Sequence, residues 1–398
     1  MTHDYAAQIS SIEIFQALDL KLGGIASSVP ALSAAMSRTG LVKAKVVALV
    51  PEKQCHGKYL DGDTDIRILP SGRLRWIREF SLRAKLDALA AGASVMHIHG
   101  LWQGHGSAAT SAARRLRIPY VVSAHGMLDA KALRAKRWRK EMYAALFERR
   151  HLRRAAILRA FTRFEVDSYR KFGSKVPVVV IPNGVDIPEH LSPQLFLNNF
   201  PELEGKQLIL YMARLHPHKG PDLLLRAWSR IARRFPDTHL VLAGPDEVGT
   251  QKYLEQLLQS LGIASRVTFT GTLTGDLKWS CLAAAHVFIL PSRSEAFSVG
   301  ALEALACSLP VILTRGCNFP EVASSEAGFI IDRGEHQLES VLSVALKLTA
   351  AERAAMGARG LGLVHSKYSL TSVARSMAEI YEWLSGGSLP QSVEIHYA

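Results

Sequence analysis

Residues 291–310 read PSRSEAFSVGALEALACSLP and lie between two short apolar runs, at residues 283–290 and 310–314. These runs have the length and composition of buried strands. Residues 298–307 between them have the apolar spacing of a helix, with Ser298 as its N-cap. A strand, a turn, a helix and a second strand form a βαβ unit. The segment therefore predicts a parallel α/β sheet, with the turn at its carboxyl edge.

The same turn predicts a binding site. Ligands of open α/β sheets bind at the carboxyl edge, and the N–H groups at a helix N-terminus favour a phosphate. Two carboxylates, Glu295 in the turn and Glu303 in the helix, flank this position. Because carboxylates repel phosphate but accept hydrogen bonds from hydroxyl groups, they indicate a polyol beside the phosphate. A sugar nucleotide carries both groups.

Length and composition limit the class of protein. The chain has 398 residues, enough for two domains with separate cores. No apolar run approaches the ~18 residues that span a bilayer, and the N-terminus lacks a signal-peptide pattern. The cysteines, at positions 55, 281, 307 and 317, show neither disulfide-framework nor zinc spacing, so we expect reduced thiols. These features predict a cytoplasmic protein.

Positive charge is concentrated in the first half of the chain. Residues 1–186 contain 30 Lys and Arg against 15 Asp and Glu, whereas residues 187–398 carry a net charge of −2. A predicted helical stretch at about 130–172 is the most basic segment, and Trp138, Met142, Ala145 and Leu146 form an apolar stripe in it. It is either a charged face over an ordinary core stripe or a peripheral docking surface for anionic lipid headgroups. No nucleic-acid-binding module is recognisable, so nucleic acid is not an expected partner.

Strands alternate with helices along the chain, which predicts two Rossmann-like halves. The predicted strands lie at residues 11–17, 44–50, 66–69, 95–98, 120–123, 178–181, 207–212, 238–243, 267–270, 283–290, 310–314 and 328–331. We expect an N-terminal domain at 1–190, a C-terminal domain at 191–365 and a helix at 366–385 that packs back on the first domain. The interdomain linker is expected within 187–206, and the tail at 386–398 is expected to be poorly ordered.

Two cations follow the first strand of the second half. Arg214 and Lys219 precede a predicted helix, at the same carboxyl edge as the turn at residues 291–297. A guanidinium and an ammonium group beside a helix N-terminus can neutralise a diphosphate without a metal ion. The alternative is an ordinary pair of surface cations at a helix start. That alternative leaves the Glu295 and Glu303 pair unexplained.

The motifs together resemble family 4 of the glycosyltransferases, which has the two-domain GT-B fold. YMARLHPHKG at 211–220 supplies the Arg…Lys-Gly loop, and residues 291–312 supply two glutamates separated by seven residues. LKLGGIASSVPAL, IHGLWQGHG, PYVVSAHGMLDA and VVVIPNGVD in the N-terminal half are also similar to family members, in the expected order. The resemblance covers residues 11–385 and implies two Rossmann-like β/α/β domains facing a central cleft.

The resemblance also implies an activity. Members of the family are retaining enzymes that commonly assemble exopolysaccharide, O-antigen or lipopolysaccharide. By this resemblance the chain moves a hexosyl group from a UDP- or GDP-sugar to a glycan or polyprenyl-linked acceptor. Attack occurs from the front face with a donor phosphate oxygen as the base, so no side chain acts as a covalent nucleophile. No metal and no cofactor besides the donor substrate are expected.

The resemblance assigns roles to individual residues. His125 and Glu295 are the catalytic residues by this resemblance, and both act at the donor sugar. The diphosphate contacts are Arg214, Lys219, Gly23, Gly24, Ser298 and Val299. The sugar and ribose contacts are Glu295, Ala296, Phe297 and Glu303, with Glu303 on the ribose hydroxyls. Leu273 and Thr274 border the nucleobase.

The sequence departs from the family pattern at three positions. Ala296, Ser298 and Ser308 stand where many members have glycine. The first two side chains are small enough for close backbone approach, so we expect activity with a shift in donor preference.

His97, His99 and His105 raise a second question, because His-x-His at a strand end is compatible with zinc. No cysteine or carboxylate lies near them in the sequence, so we expect them to be packed or cleft-lining histidines.

Other functions remain open at this level. A GT-B sugar-nucleotide epimerase would turn over the donor without an acceptor, and a phosphorylase would need a cofactor-bearing lysine motif that is not recognisable here. A retaining glycosidase also uses paired carboxylates, but Glu303 lies in a helix beside the anion site. A non-catalytic adaptor for membranes or nucleic acid would bind through the basic surface alone, with strong dependence on salt.

Overall fold

The computed structural model describes residues 8–16, 24–51, 65–71, 77–129, 133 and 137–398. The chain divides into two compact units, Met1–Gly184 together with Leu370–Ala398, and Val185–Ser369. The boundaries expected from the sequence lie after residues 190 and 365. The expected linker at 187–206 contains a helix at Gln194–Asn199 and a 3₁₀ turn at Pro201–Leu203.

The first unit contains an eight-stranded sheet in the order β14-β7-β6-β5-β4-β1-β2-β3. Every strand pair is parallel except β14 with β7. The strands are β1 (Ile9–Gln16), β2 (Val42–Pro51), β3 (Asp65–Ser71), β4 (Val95–His99), β5 (Tyr120–Ser123), β6 (Ile157–Ala160), β7 (Val178–Val180) and β14 (Ile395–His396).

Helices cover both faces of this sheet. They are α1 (Ile25–Arg38), α2 (Ile77–Ala90), α3 (Gly104–Leu116), α4 (Arg137–Tyr143), α5 (Arg149–Arg153), α6 (Arg163–Lys171) and α15 (Leu370–Leu384), with a π-helical turn at Ala144–Glu148 between α4 and α5. Successive residues of β4 pack into different clusters: Met96 joins Ala108 of α3, and Val95 joins Met36 of α1 and Met377 of α15. Burial on both faces explains the continuous apolar runs of these strands.

The second unit contains six parallel strands in the order β10-β9-β8-β11-β12-β13. They are β8 (Gln207–Met212), β9 (Thr238–Ala243), β10 (Val267–Gly271), β11 (Val287–Leu290), β12 (Val311–Thr314) and β13 (Gly328–Ile331). The helices are α7 (Gln194–Asn199), α8 (Pro221–Ile231), α9 (Thr250–Leu261), α10 (Gly275–Ala284), α11 (Val299–Ala306), α12 (Glu321–Ser324), α13 (Glu335–Ala345) and α14 (Ala350–Leu363). The parallel α/β class expected from the sequence is confirmed.

Two expectations about the first unit are wrong. The helical stretch predicted at 130–172 is interrupted by β6, which pairs with β5 and β7. Its four residues, Ile157–Ala160, include Arg159 and lie between two basic segments, so no continuous apolar run marks the strand. The tail is not disordered, because β14 pairs with β7 and the Arg163 guanidinium donates to the Glu394 carboxylate at 2.7 Å.

Cys281, Cys307 and Cys317 are free thiols, as expected, whereas Cys55 lies outside the described residues. Among the helices that the structure describes, none combines the length and the apolar character required to cross a bilayer.

Candidate functional site

Strand order reverses once in each sheet, and several predicted site residues follow the strands at these two points. In the second unit the reversal lies between β8 and β11. The loop after β8 carries Arg214 and Lys219, and the loop after β11 carries Glu295. Crevices beyond the carboxyl ends of strands at such a reversal are the usual binding sites of open α/β sheets.

Lys219 and Glu295 form a close ion pair. The Lys219 Nζ atom lies 2.5 Å and 2.6 Å from the two carboxylate oxygens of Glu295, and the side chains are 18% and 9% exposed. Each loop is tied to neighbouring backbone: the Arg293 N–H donates to the His218 carbonyl at 2.7 Å, and the Glu295 N–H donates to the Gly316 carbonyl at 2.8 Å. The pair thus joins the two predicted loops into one site.

Gly220 makes this approach of the two loops sterically feasible. Its φ of +75° lies in the left-handed region, where residues with a Cβ atom are strained. A Cβ atom at Gly220 would also lie 2.5 Å from the Pro291 carbonyl oxygen. The Lys-Gly sequence therefore serves a geometric purpose, because glycine lets the loop that bears Lys219 lie against the β11 loop.

Glu303 is paired with a lysine that the sequence analysis did not identify. Lys278 Nζ on α10 lies 2.7 Å from Glu303 Oε1 on α11, and the side chains are 23% and 15% exposed. Helix α10 begins after Thr274, so the predicted nucleobase loop is joined to Glu303 through one helix. Within that loop Leu273 is buried, whereas Thr274 is exposed.

Arg214 lies farther out in solvent than Lys219. Its guanidinium donates to Glu247 at 3.1 Å and is 55% exposed. Its backbone carbonyl accepts a hydrogen bond from the buried Tyr211 hydroxyl at 2.9 Å, which fixes the start of the loop. The side chain is thus accessible to an anion, and its partner Glu247 competes for the same charge.

The turn before α11 presents backbone rather than side chains. The Ser298 hydroxyl oxygen accepts the Ala301 N–H at 3.3 Å, as expected for an N-cap, and Val299 begins the helix. The Phe297 ring is buried against Phe319, with 5.5 Å between ring centroids. For a ligand, Phe297 can therefore offer only its backbone.

In the first unit the reversal lies between β1 and β4. Gly24, in the segment after β1, has φ +65° and ψ −129°, a conformation available essentially to glycine alone. It is the N-cap of α1, and its carbonyl accepts the Ser28 N–H at 2.9 Å. Gly23 lies outside the described residues.

His125 lies in the turn after β5, with φ +52°. Two residues of α6 hold the adjacent backbone: the Glu165 carboxylate accepts the Gly126 N–H at 2.7 Å, and the Tyr169 hydroxyl oxygen accepts the Ala124 N–H at 2.8 Å. Burial holds the pKa of His125 well below its ordinary value, and the neighbouring His99 and Arg159 lower it further. The ring is therefore neutral at physiological pH.

The histidines of β4 have a carboxylate partner that is distant in the sequence. Glu13, from β1, brings a buried carboxylate beside His97 and His99, and donor atoms of the three residues lie within 4.8 Å of one another. A metal ion would fit this donor set. Both nitrogens of each ring already have hydrogen-bond partners, however, so the absence of a metal stays a prediction. His105 is buried and bonds to the His99 carbonyl at 2.9 Å.

Three polar residues at these sites were not predicted from the sequence: Lys278, Glu13 and Glu165. Glu13 leaves a signal, because it is an acid inside the apolar strand segment SIEIF. Lys278 and Glu165 lie on helices with ordinary polar composition. Only the packing of α10 and α6 identifies them.

Family models match both halves of the chain. Residues 196–360 match the model described as glycosyl transferases group 1, and residues 23–184 match the glycosyl transferase 4-like domain. Several curated proteins are similar over longer stretches. A D-inositol 3-phosphate glycosyltransferase of Stackebrandtia nassauensis is 30% identical over 324 residues, which cover 74% of this chain and 72% of that protein.

Two further relatives are covered less completely. A D-inositol 3-phosphate glycosyltransferase of Salinispora tropica is 28% identical over 75% of this chain and 66% of its own length. A GDP-mannose-dependent monoacylated alpha-(1-6)-phosphatidylinositol monomannoside mannosyltransferase of Corynebacterium glutamicum is 29% identical over 53% of this chain. The chain thus spans slightly under two thirds of the first protein and 58% of the second.

Solved structures show the same fold. Sucrose-phosphate synthase of Thermosynechococcus elongatus has a TM-score of 0.76 at 20% identity, covering 95% of this chain and 99% of that chain. Anabaena HepE, solved in complex with UDP and glucose, has a TM-score of 0.72 at 17% identity, covering 94% and 100%. These structures have the GT-B fold, so the expected fold is confirmed.

Proposed function

Because the chain belongs to the group 1 glycosyltransferases of the GT-B fold, we propose that it is a retaining enzyme that transfers a hexosyl group from a UDP- or GDP-sugar. The acceptor is a glycan or a lipid-linked saccharide of a polysaccharide pathway. The observation that carries this proposal is the pair of Lys–Glu contacts, Lys219 with Glu295 and Lys278 with Glu303, beside the N-terminus of α11.

Each of the two ion pairs is assigned to a different part of the donor. Glu303 accepts hydrogen bonds from the ribose hydroxyls, a task for which a carboxylate has two acceptor oxygens. Lys278 holds that carboxylate in place from α10. Leu273 and Thr274 precede the same helix and border the nucleobase.

The diphosphate lies between Lys219 and the first turn of α11. Lys219 is held by Glu295 at 2.5 Å, so its ammonium group is positioned before the donor arrives. The N–H groups of the first turn, which begins at Val299, point out of the helix end and favour an anion. Arg214 adds a second positive charge, and the family resemblance assigns Gly23 and Gly24 to the same diphosphate.

Charge on the leaving nucleotide develops as the glycosidic bond breaks. Lys219 and Arg214 stabilise this charge and thereby accelerate cleavage of the glycosidic bond. Glu295, Ala296 and the Phe297 backbone hold the sugar, and by the family resemblance His125 contacts the same sugar. A donor phosphate oxygen takes the acceptor proton, so the reaction needs neither a protein nucleophile nor a metal ion.

The exposed stripe on α4 and the π-helical turn supports a peripheral membrane site. Trp138, Met142 and Leu146 are 63%, 56% and 65% exposed. They lie four residues apart, on successive turns, and Arg139 and Arg149 on the same segment are exposed too. An apolar stripe with basic flanks suits the surface of an anionic bilayer, where lipid-linked acceptors reside.

A nucleotide screen tests the donor site. We expect UDP or GDP to raise the melting temperature of the protein, with ADP and dTDP as comparison ligands. Incubation with the matching nucleotide sugar should release nucleotide in proportion to added acceptor. No stabilisation by any of the four nucleotides would contradict the proposed donor site, and sugar turnover that is independent of acceptor would indicate an epimerase instead.

A further inference from the structure

A chain of hydrogen bonds joins Glu13, inside β1, to His125, in the turn after β5. The Glu13 Oε2 atom lies 3.0 Å from His99 Nε2, and His99 Nδ1 lies 3.0 Å from His125 Nε2. Glu13 and His99 are each 1% exposed, so water does not compete for these contacts. The proposed donor-site roles do not account for this series of hydrogen bonds.

Glu13 is surrounded by hydrogen-bond donors. Oε1 accepts from the Ser11 hydroxyl at 3.0 Å and from the Tyr381 hydroxyl at 2.8 Å. Oε2 faces His99 Nε2 at 3.0 Å and His97 Nδ1 at 3.2 Å. Burial raises the pKa of Glu13, but the two histidines, His97 first, outweigh burial and hold that pKa well below its ordinary value. Glu13 is therefore a carboxylate at physiological pH.

An anionic Glu13 determines which nitrogen of His99 carries the hydrogen. Nε2 must donate to the carboxylate, and burial lowers the pKa of His99 to about 3, so the ring is neutral. Nδ1 of His99 then has a lone pair and can only accept. The contact between His99 Nδ1 and His125 Nε2 consequently requires a hydrogen on Nε2 of His125.

The ring of His125 is also fixed in orientation. Its centroid lies 4.7 Å from that of Phe161 and 5.3 Å from that of His99. The backbone on either side is held by Glu165 and Tyr169. Since His125 is neutral and its hydrogen is on Nε2, the other nitrogen, Nδ1, has a lone pair.

We propose that Glu13 and His99 are positioning residues that hold His125 as a hydrogen-bond acceptor toward the donor. This inference rests on the proposed function, in which His125 contacts the donor sugar. A lone pair accepts a hydrogen bond from a sugar hydroxyl and repels a phosphate oxygen, because both atoms would be acceptors. His125 therefore recognises a hydroxyl group of the transferred sugar and not the diphosphate.

Nitrogen-15 NMR of the full chain, labelled at histidine, tests the hydrogen positions without any substrate. His125→Gln identifies the signals of that ring. We expect Nε2 of His125 to be protonated and Nδ1 to be unprotonated between pH 6 and pH 8. A hydrogen on Nδ1, or a doubly protonated ring, would overturn the proposal.

The His99→Leu variant tests the link between the two rings. We expect the Nε2 hydrogen of His125, protected from exchange in the wild type, to exchange rapidly in this variant. Tyr381→Phe is the matched control, because it removes another donor from Glu13 and leaves both contacts of His99 in place. Equal protection in His99→Leu and the wild type would contradict the role of His99.

A double-mutant cycle separates positioning from general structural support. His99→Leu should lower kcat/KM by about 10-fold to 100-fold, by analogy with the loss of residues that orient metal-binding histidines. In a His125→Ala background the same change should alter kcat/KM by less than about 2-fold, because its target is absent. An equal loss in both backgrounds would make His99 merely structural and overturn the proposal.

Nucleotide binding distinguishes this failure from failure of the proposed function. UDP or GDP should stabilise His99→Leu as much as the wild type, since neither His99 nor His125 is assigned to the nucleotide. Loss of stabilisation in His99→Leu alone would contradict the assignment of the Glu13, His99 and His125 hydrogen bonds to recognition of the sugar. Absence of stabilisation in the wild type would contradict the donor site itself. If His125→Ala retained full activity, the contact between His125 and the sugar, and with it this inference, would be wrong.

Discussion

Lys278 of α10 donates to Glu303 of α11 at 2.7 Å, and this contact joins the segment after β10 to the predicted ribose site. The two residues are 25 positions apart and belong to different β–α connections of the same sheet. Glu303 is therefore oriented by a residue outside the Glu295–Glu303 motif. The contact gives a specific prediction about the ribose.

Glu303 should account for recognition of the ribose hydroxyls. For the wild type we expect UDP or GDP to bind about 10-fold to 100-fold more tightly than the 2′,3′-dideoxy analogue, because hydrogen bonds to a charged acceptor are lost. In Glu303→Ala this difference should disappear. Isothermal titration with each nucleotide pair measures it, and a difference that persists in Glu303→Ala would place the ribose elsewhere.

Lys278→Met should weaken donor binding by several-fold with a smaller effect on kcat. The variant removes the cation that orients Glu303 but leaves Lys219 and the diphosphate contacts intact. Arg315→Met is a suitable control, because Arg315 also forms an ion pair, with Asp332 at 3.0 Å, but both side chains are more than 70% exposed. Such exposed pairs contribute about 0–1 kcal/mol to stability. Equal donor KM in Lys278→Met and Arg315→Met would refute the orienting role.

Lys219→Met should lower kcat by about 100-fold to 1000-fold, the range for removing one group that stabilises charge in a transition state. Circular dichroism should show an unchanged fold, since the Lys219 side chain lies at the site and not in the core. The exposed Lys347 of the same unit offers a matched control, and Lys347→Met should have normal rates. A normal rate in Lys219→Met would argue against the proposed diphosphate contact.

Glu148 should make stability depend on pH. Burial raises the pKa of Glu148 to about 7, although its Oε1 atom accepts the Trp102 N–H at 2.7 Å. Because the pKa is raised in the folded state, Glu148 contributes fully to the free energy of unfolding below its unfolded pKa of about 4.5. This contribution is lost as pH rises through 7. The loss amounts to roughly 3 kcal/mol. Glu148→Gln should therefore gain stability over the wild type between pH 5 and pH 8.

Urea unfolding at both pH values measures this difference. The buried His105 and His151 titrate in the opposite sense, because burial lowers their pKa values to about 4 and about 3. Comparing variant with wild type removes their contribution. The exposed Glu382→Gln is the control and should differ equally from the wild type at both pH values. The same result for Glu148→Gln would contradict the raised pKa.

The Trp138, Met142 and Leu146 stripe should bind anionic vesicles. We expect the double variant Trp138→Glu and Leu146→Glu to lose at least about 10-fold in affinity, since burial of one such side chain stabilises binding by about 1.5–3 kcal/mol. Leu195→Glu, an exposed leucine of the second unit, is the control. Sedimentation with phosphatidylglycerol and phosphatidylcholine vesicles measures the effect. Equal binding of the wild type to both lipids would contradict an anionic docking surface.

Short strands were predictable where they were apolar and bounded by turns. The segments at 120–123, 207–212, 238–243 and 328–331 coincide with β5, β8, β9 and β13. The strand β6 was not predictable, because its residues include Arg159 and stand in a basic segment. Arg159 is nevertheless buried, and it donates to the Ile181 carbonyl at 3.0 Å. Tertiary contacts that satisfy a buried guanidinium leave no local sequence pattern.

The same limit applies to the stripe at Trp138. Helical spacing shows that these residues share one side of a helix but not whether that side faces the core. In the structure Ala144 and Glu148 face inward, and the large apolar residues face solvent. An interpretation as a core stripe is therefore wrong for the described residues. Packing, and not periodicity, decided between the two alternatives.

The sequence by itself determined the α/β class and the loops that carry Lys219 and Glu295. These features follow from short-range causes: apolar runs, helix caps and glycine positions. Only the tertiary structure brought Lys278 to Glu303 and Glu13 to His99, because residues of separate strands and helices meet only when these elements pack together. Hydrogen-bond polarity at His125 likewise depends on contacts between β1, β4 and the turn after β5, which no local segment contains.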